Sequence, residues 1–182
     1  MNVRDHLKNL EVDAIKNYCA NNTMPVSAAM AHITGDFNLG SLIRSANFFG
    51  LKEVYYIGGK KSFDRRSTVG THHYTPTNHI KTEEEFLSII DTQDLVCIEN
   101  NIPEFEQKIT SIFNDNVFID LINPVFLFGE EQKGISTFLL EKCKRIITIP
   151  AYGSVRSMNV GCCASTIFSF YRKHYNNTSI IS

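Results

Sequence analysis

Pro124-Val125-Phe126-Leu127-Phe128 runs for five apolar residues, and Gly129-Glu130-Glu131-Gln132-Lys133-Gly134-Ile135-Ser136 follows at once. A short, uninterrupted apolar run that ends on a glycine loop reads as a strand buried on both faces. Working outward, residues 137–143 read as a short helix, 145–149 as the last strand and 158–174 as a final helix. Upstream, residues 95–98 are a strand and 104–113 a helix. Thr82-Glu83-Glu84-Glu85 has an N-cap and an acidic first turn, and opens a helix that carries Phe86, Leu87, Ile89 and Ile90. Residues 53–57 and 28–33 are further strands, 63–69 a short helix, and 74–80 the place for another short strand. Leu42, Ile43, Ala46 and Phe49 form one face of a helix that follows an Asn38/Gly40 turn. Leu7, Leu10, Ala14, Ile15 and Tyr18 make residues 3–20 an amphipathic first helix. Strands alternating with helices, several of them apolar throughout, predict an α/β fold with a mostly parallel sheet covered by helices.

Size and composition suit that reading. The chain has 182 residues, enough for one domain with its own core, and 43% hydrophobic with 20% charged residues is ordinary for a globular protein. A formal net charge of −1 gives no global field to attract nucleic acid, so any such binding rests on local basic patches. Five cysteines, with no C-x-x-C pair, suit a reducing compartment better than a disulfide framework. The first residues open no long apolar run and no 18-residue apolar stretch occurs, so neither a signal peptide nor a membrane span is expected. The expected location is cytoplasmic.

In an open parallel sheet, ligands bind in the loops beyond the carboxyl ends of the strands. Three segments occupy such loops. In 38–50, Arg44 lies one turn into a helix, where a guanidinium can meet an anion or a developing oxyanion. In 128–136, Gly129 and Gly134 allow close backbone approach, and Glu131 lies between them. In 149–160, Ser157 and Asn159 stand where the last helix begins, and capping accounts for one of them more easily than for both.

Together these segments resemble the signature of the SpoU/TrmH family of RNA ribose methyltransferases, within the SPOUT superfamily. Its first motif, N-x-G-x-x-x-R-x-x-x-x-x-G, is matched from Asn38 through Arg44 to Gly50. Its second, F-G-x-E-x-x-G-[LI]-S, is matched by residues 128–136, and its third, I-P-x-x-G-x-V-x-S-[LM]-N-V, by residues 149–160. The resemblance covers roughly residues 28–173. Beside the amphipathic first helix, assigned to residues 1–24, the resemblance implies a SPOUT methyltransferase domain over 25–182, with a C-terminal deep trefoil knot. Nothing in the periodicity predicts the knot, because threaded chains are nearly absent from proteins.

The resemblance also implies S-adenosylmethionine as cofactor, held largely by backbone groups around Phe128, Gly129, Glu130, Ile149 and Met158. It implies Arg44, Glu131, Ser157 and Asn159 as functional positions, with Asn38 in support, and a homodimer whose catalytic Arg and cofactor meet across the subunit interface. The reaction would be methyl transfer to a ribose 2′-hydroxyl of tRNA or rRNA; the compact build is closer to tRNA-directed relatives. Arg44 is the family's candidate base, yet a free guanidinium has a pKa above ~12. A substrate phosphate shuttling the proton, or a charged Arg44 stabilising the alkoxide, are the two readings left open. Glu130 beside Glu131 either lowers anion affinity or faces solvent.

Candidate RNA contacts are Lys60, Lys61, Arg65 and Arg66 after the second strand, and Arg156, Arg172 and Lys173 near the active loop. Cys162 and Cys163 read as packing residues among small neighbours. His72, His73 and His79 lack metal-ligand spacing, so no metal is expected. Two other readings stand beside the enzyme: a catalytically inactive knotted RNA-binding module, and base instead of ribose methylation.

Overall fold

The computed structural model describes residues 3–31, 36–130 and 133–179. Its centre is a seven-stranded sheet: β1 (Met24–Met30), β2 (Leu51–Ile57), β3 (Thr77–Ile80), β4 (Leu95–Ile98), β5 (Ile109–Ser111), β6 (Val125–Phe128) and β7 (Arg145–Thr148). The strand order is β3-β2-β1-β6-β4-β7-β5, and every pairing is parallel. Parallel pairing requires crossovers, and five helices serve or flank them: α1 (Val12–Asn21), α2 (Asp36–Phe49), α3 (Glu83–Ile89), α4 (Thr137–Lys142) and α5 (Val160–Ser179).

Side chains alternate between the two faces with period two, which divides the core. Ala28, Met30, Val96, Ile98, Phe126 and Phe128 point to one face, where Leu39, Leu42, Ile43 and Ala46 of α2 meet Ala164, Ile167, Phe168 and Tyr171 of α5. Their neighbours Ala29, Leu95, Cys97, Val125 and Leu127 point to the other, under Phe86 of α3 and Leu139 and Leu140 of α4. Leu7, Ile15 and Tyr74 form a small separate cluster at the N-terminus. Central strands β4 and β6 are buried at every position, as their unbroken apolar runs require. Pro25, the exposed residue of β1, sits at its start beside a register irregularity, where a missing N–H costs least.

Five sequence expectations change. The first helix is broken: a 3₁₀ turn over Asp5–Leu7 precedes α1, and Leu10 lies 46% exposed at the break. Residues 104–113 are not one helix. A kinked 3₁₀ segment, Pro103–Lys108, leads directly into edge strand β5, whose Ile109-Thr110 pair is β-branched. Residues 63–69 contain only a 3₁₀ turn, Arg65–Thr68. Asn38 and Gly40, expected in a turn, lie inside α2. A Cβ on Gly40 would stand 1.7 Å from Ser67 Oγ, so glycine serves close packing there, not a bend. The expected strand over 28–33 ends at Met30, and its last residues, His32 and Ile33, lie outside the described residues.

Candidate functional site

The first motif lies on α2, which follows β1, and the loops bearing the second and third leave the carboxyl ends of β6 and β7, with β4 between those two strands. The strand order reverses direction at the β1/β6 seam, where open parallel sheets place their ligands. The first and third motifs meet directly. Asn159 Nδ2 donates to Asn38 Oδ1 at 2.9 Å. Asn159 Oδ1 in turn accepts from the backbone N–H of Gly161 (2.9 Å) and Cys162 (3.4 Å), which caps α5. The same residue thus closes one helix terminus and ties it to another helix. A Cβ on Gly161 would stand 2.8 Å from Ser41 Cβ, and the Ser45 and Ser165 hydroxyls lie 2.8 Å apart, so α2 and α5 pack closely through small residues.

The second motif folds back on itself. The Gly134 N–H donates to the Glu130 carbonyl at 2.8 Å, and a Cβ on Gly129 would lie 2.4 Å from the Gly134 carbonyl carbon. Gly134 adopts φ +63°, which glycine reaches without strain. Glu130 is 6% exposed, and its Oε2 accepts from the Lys133 N–H at 3.2 Å. The alternative in which it faces solvent is thereby overturned: its carboxylate closes the loop that contains it. Ser136 caps α4 and donates to Glu83 Oε2 at 2.7 Å, fastening this loop's end to α3. Glu131 lies outside the described residues.

The third motif is anchored in the core at its ends by Ile149 and Val160, and its middle stands open. Residues 151–159 are all exposed, including Tyr152 (86%), Val155 and Met158, while Phe128 at the base of the second loop is buried. Ser157 lies on this open stretch with Arg156. Ile149 is half-buried, and both its N–H and its carbonyl are engaged by the Asn100 side chain.

The Glu99-Asn100-Asn101 segment is the part of the site that the motif reading missed. Glu99 accepts the Ile135 N–H, and Asn101 Nδ2 donates to the Arg156 carbonyl. Its only sequence signal is three polar residues directly after a fully apolar strand.

Arg44 is exposed at the middle of α2 and opens onto a broad groove shared with Phe48, Lys61, Arg65, His72 and Arg172. The described residues of the second and third loops do not line that groove. Of the basic residues singled out from sequence, Lys61, Arg65 and Arg172 flank it, whereas Lys60, Arg66, Arg156 and Lys173 do not. Arg66 is committed locally: its Nε donates to Asp64 Oδ2 at 2.7 Å, and its backbone N–H donates to the same carboxylate, which caps the 3₁₀ turn. That contact holds the Asp64 carboxyl below its usual range. Arg172 stacks its guanidinium over Tyr175 at 5.9 Å from the ring centroid. His72 Nδ1 lies 2.6 Å from Thr68 Oγ1, and burial, with His73 and Arg65 nearby, lowers its pKa. Cys163 packs against the core, where burial pushes its thiol up to about 12, and Cys162 is exposed.

Residues 25–169 match the SpoU rRNA Methylase family. The 23S rRNA (guanosine-2'-O-)-methyltransferase RlmB of Blochmanniella floridana is 26% identical over 166 residues, which is 86% of this chain and 61% of that protein. The fold is shared with the TrmH/SpoU tRNA modifying enzyme of Aquifex aeolicus (TM-score 0.73, 16% identity, 92% of this chain and 84% of that one). It is shared also with the SpoU methyltransferase AviRb from Streptomyces viridochromogenes, solved in complex with AdoMet (TM-score 0.70, 21% identity, 85% and 58%). The chain spans about three fifths of the length of the curated relatives it matches. With most of its length matched and all three motif segments inside the matched region, the chain belongs to the SpoU rRNA methylase family.

Proposed function

We propose that this protein is an S-adenosylmethionine-dependent RNA methyltransferase that acts on a ribose 2′-hydroxyl, with tRNA as the favoured substrate over rRNA. The observation that carries the proposal is the Asn159–Asn38 hydrogen bond, which joins the third motif to the helix that bears Arg44. Curated relatives named as a tRNA and an rRNA 2'-O-methyltransferase are matched over 63% and 61% of their lengths, and both support an RNA substrate.

The loops at the carboxyl ends of β6 and β7 fit an adenosyl cofactor in kind. They combine glycine-rich backbone, the apolar side chains of Phe128, Ile149 and Met158, and a polar rim. Bound there, S-adenosylmethionine would supply an electrophilic methyl group for in-line transfer to a ribose oxygen, the methyl–sulfur bond breaking as the oxygen–methyl bond forms and S-adenosylhomocysteine leaving. Gly129 and Gly134 keep the β6 loop tight, and Ser157 and Arg156 present polar groups from the open 151–159 stretch. Arg44 offers a fixed cationic fork to the oxygen that becomes negative as its proton leaves. A phosphate of the RNA is the proposed proton acceptor, since a guanidinium gives up a proton so unwillingly.

The protein acts as a homodimer in this reading, with Arg44 of one subunit serving the loops of the other. Arg44 opens onto a groove that its own β6 and β7 loops do not line, and Phe37 and Phe48 on the same helix are 74% and 81% exposed. In this reading the C-terminal segment is threaded into a trefoil knot.

The test is methyl incorporation from labelled S-adenosylmethionine into bulk tRNA and rRNA, followed by nucleoside analysis. Arg44→Ala is expected to lower the rate by about 10²–10³-fold, the usual loss for one oxyanion-stabilising donor, with cofactor binding unchanged. Absence of methylation by the wild-type protein, with RNA binding intact, would instead identify a silent binding module. A methylated base would overturn the ribose assignment.

A further inference from the structure

We propose that Asn100, assisted by Glu99 and Asn101, is the positioning residue that holds the β6 and β7 loops in register and so sets the affinity for S-adenosylmethionine; this rests on the cofactor reading above. Strand β4 pairs with β6 on one side and β7 on the other, so the residues just past its end are within reach of both loops. The last main-chain bond on the β7 side runs from the Glu99 N–H to the Ile147 carbonyl at 3.2 Å. One step further along, the Asn100 side chain takes over the ladder. Its Nδ2 donates to the Ile149 carbonyl at 3.0 Å, its Oδ1 accepts the Ile149 N–H at 3.2 Å, and the Thr148 hydroxyl donates to the same Oδ1.

That task requires a donor and an acceptor side by side at a fixed reach. Aspartate has no donor, alanine has neither group, and glutamine stands one methylene too long. Glu99 secures the other loop. Its Oε1 accepts the Asn100 N–H at 3.0 Å and its Oε2 accepts the Ile135 N–H at 3.1 Å. The carboxylate reaches this position because residue 134 is glycine; a Cβ there would lie 2.9 Å from Oε2. Asn101, at φ +58°, donates from Nδ2 to the Arg156 carbonyl at 3.2 Å and so holds the far part of the β7 loop. Asparagine is among the residues that tolerate this backbone region. Three consecutive residues thus fasten the β6 loop, the start of the β7 loop and its distal stretch.

These residues act through the loops, so their removal changes what it costs to order the site and not the reacting groups. The experiment measures S-adenosylmethionine Kd by calorimetry, with KM and kcat for methyl transfer, on the full chain. Asn100→Ala is expected to raise Kd and KM for the cofactor by about tenfold or more, with kcat at saturation within about threefold. Asn100→Asp is expected to behave like the alanine variant, because it sets an oxygen against the Ile149 carbonyl. Asn101→Gly keeps the backbone conformation while deleting one bond, and is expected to raise Kd by about two- to fivefold even if Asn100→Ala does not fold.

Leu7→Ala, in the separate N-terminal cluster, serves as the control: it lowers the melting temperature and leaves Kd unchanged. A wild-type Kd retained within twofold by folded Asn100→Ala, or by Asn101→Gly, overturns the inference. A folded wild-type protein with no affinity for S-adenosylmethionine overturns the cofactor assignment itself, and this inference with it.

Discussion

Gly40→Ala tests whether the contact between α2 and the 3₁₀ turn at Arg65–Thr68 is as close as the structure places it. In an open helix this change stabilises by about 1 kcal/mol, through backbone entropy. Here the new methyl would stand 1.7 Å from Ser67 Oγ, 2.7 Å from Ser67 Cβ and 3.2 Å from the Ser67 carbonyl carbon. Rotating the hydroxyl away leaves the Cβ clash, so the backbone of one element must move. Overpacking of this kind costs about 1–3 kcal/mol. Taking the middle of that range, Gly40→Ala destabilises by about 1 kcal/mol, or ~2–4 °C in melting temperature for a chain of this size. Ser67→Gly removes both offending atoms and leaves only the 3.2 Å contact. It also removes a buried hydroxyl that has no hydrogen-bond partner among the described residues. In that background Gly40→Ala regains its helical advantage and stabilises. The coupling is therefore about 2 kcal/mol, with a reversal of sign. Urea denaturation of the four proteins of the double-mutant cycle, followed by circular dichroism, measures it. A coupling below about 0.5 kcal/mol, or equal destabilisation in both backgrounds, refutes the reasoning.

Two further predictions concern other parts of the fold. Asn159→Ala removes the α5 cap and the Asn38 contact together, and is expected to cost about 1 kcal/mol; Asn159→Asp retains the capping oxygen and restores most of it, as thermal melts will show. Asp120 lies 3.0 Å from both Lys144 Nζ and an Arg145 guanidinium nitrogen, and the Lys144 hydrogen bond, with Arg145, holds its carboxyl below the unfolded value. Its contribution is therefore present above the unfolded carboxyl pKa of ~3.9 and lost as pH falls through the lower folded value. Asp120→Asn, which keeps a residue tolerant of φ +68°, is expected to flatten the fall in melting temperature between about pH 5 and 3; parallel curves for the two proteins would count against it.

The strands were the most legible part of the chain. Residues 95–98 and 125–128 are apolar at every position, and only burial on both faces explains such runs. The buried face of α2 was equally clear from Leu42, Ile43 and Ala46. Gly40 misled, because a glycine required by a neighbour distant in sequence looks the same as a glycine required by a turn. Residues 104–113 misled for a different reason. Their apolar spacing is compatible with a helix, and pairing of Thr110 with Ile147 on β7 overrides that local preference. The motif loops stood out because their glycines and polar residues follow strands directly. Asn100 did not, since its partners Thr148 and Ile149 are adjacent only once β4 and β7 lie side by side. Residues 151–159 showed their polar and glycine character in the sequence, but not that the whole stretch stands exposed.

The β1/β6 seam also shapes how the chain is made. Strands β3, β2 and β1 come from the first part of the chain and form one block, whereas β6, β4, β7 and β5 form another. Ser27 pairs with Val125, with more than half of the polypeptide between them. While the nascent chain is still on the ribosome, β1 therefore carries one open edge, apolar apart from Ser27 and Pro25, until Val125–Phe128 has emerged. Joining the two blocks is a late, long-range closure, slow by its topology, and the interval before it is when a chaperone has most to shield.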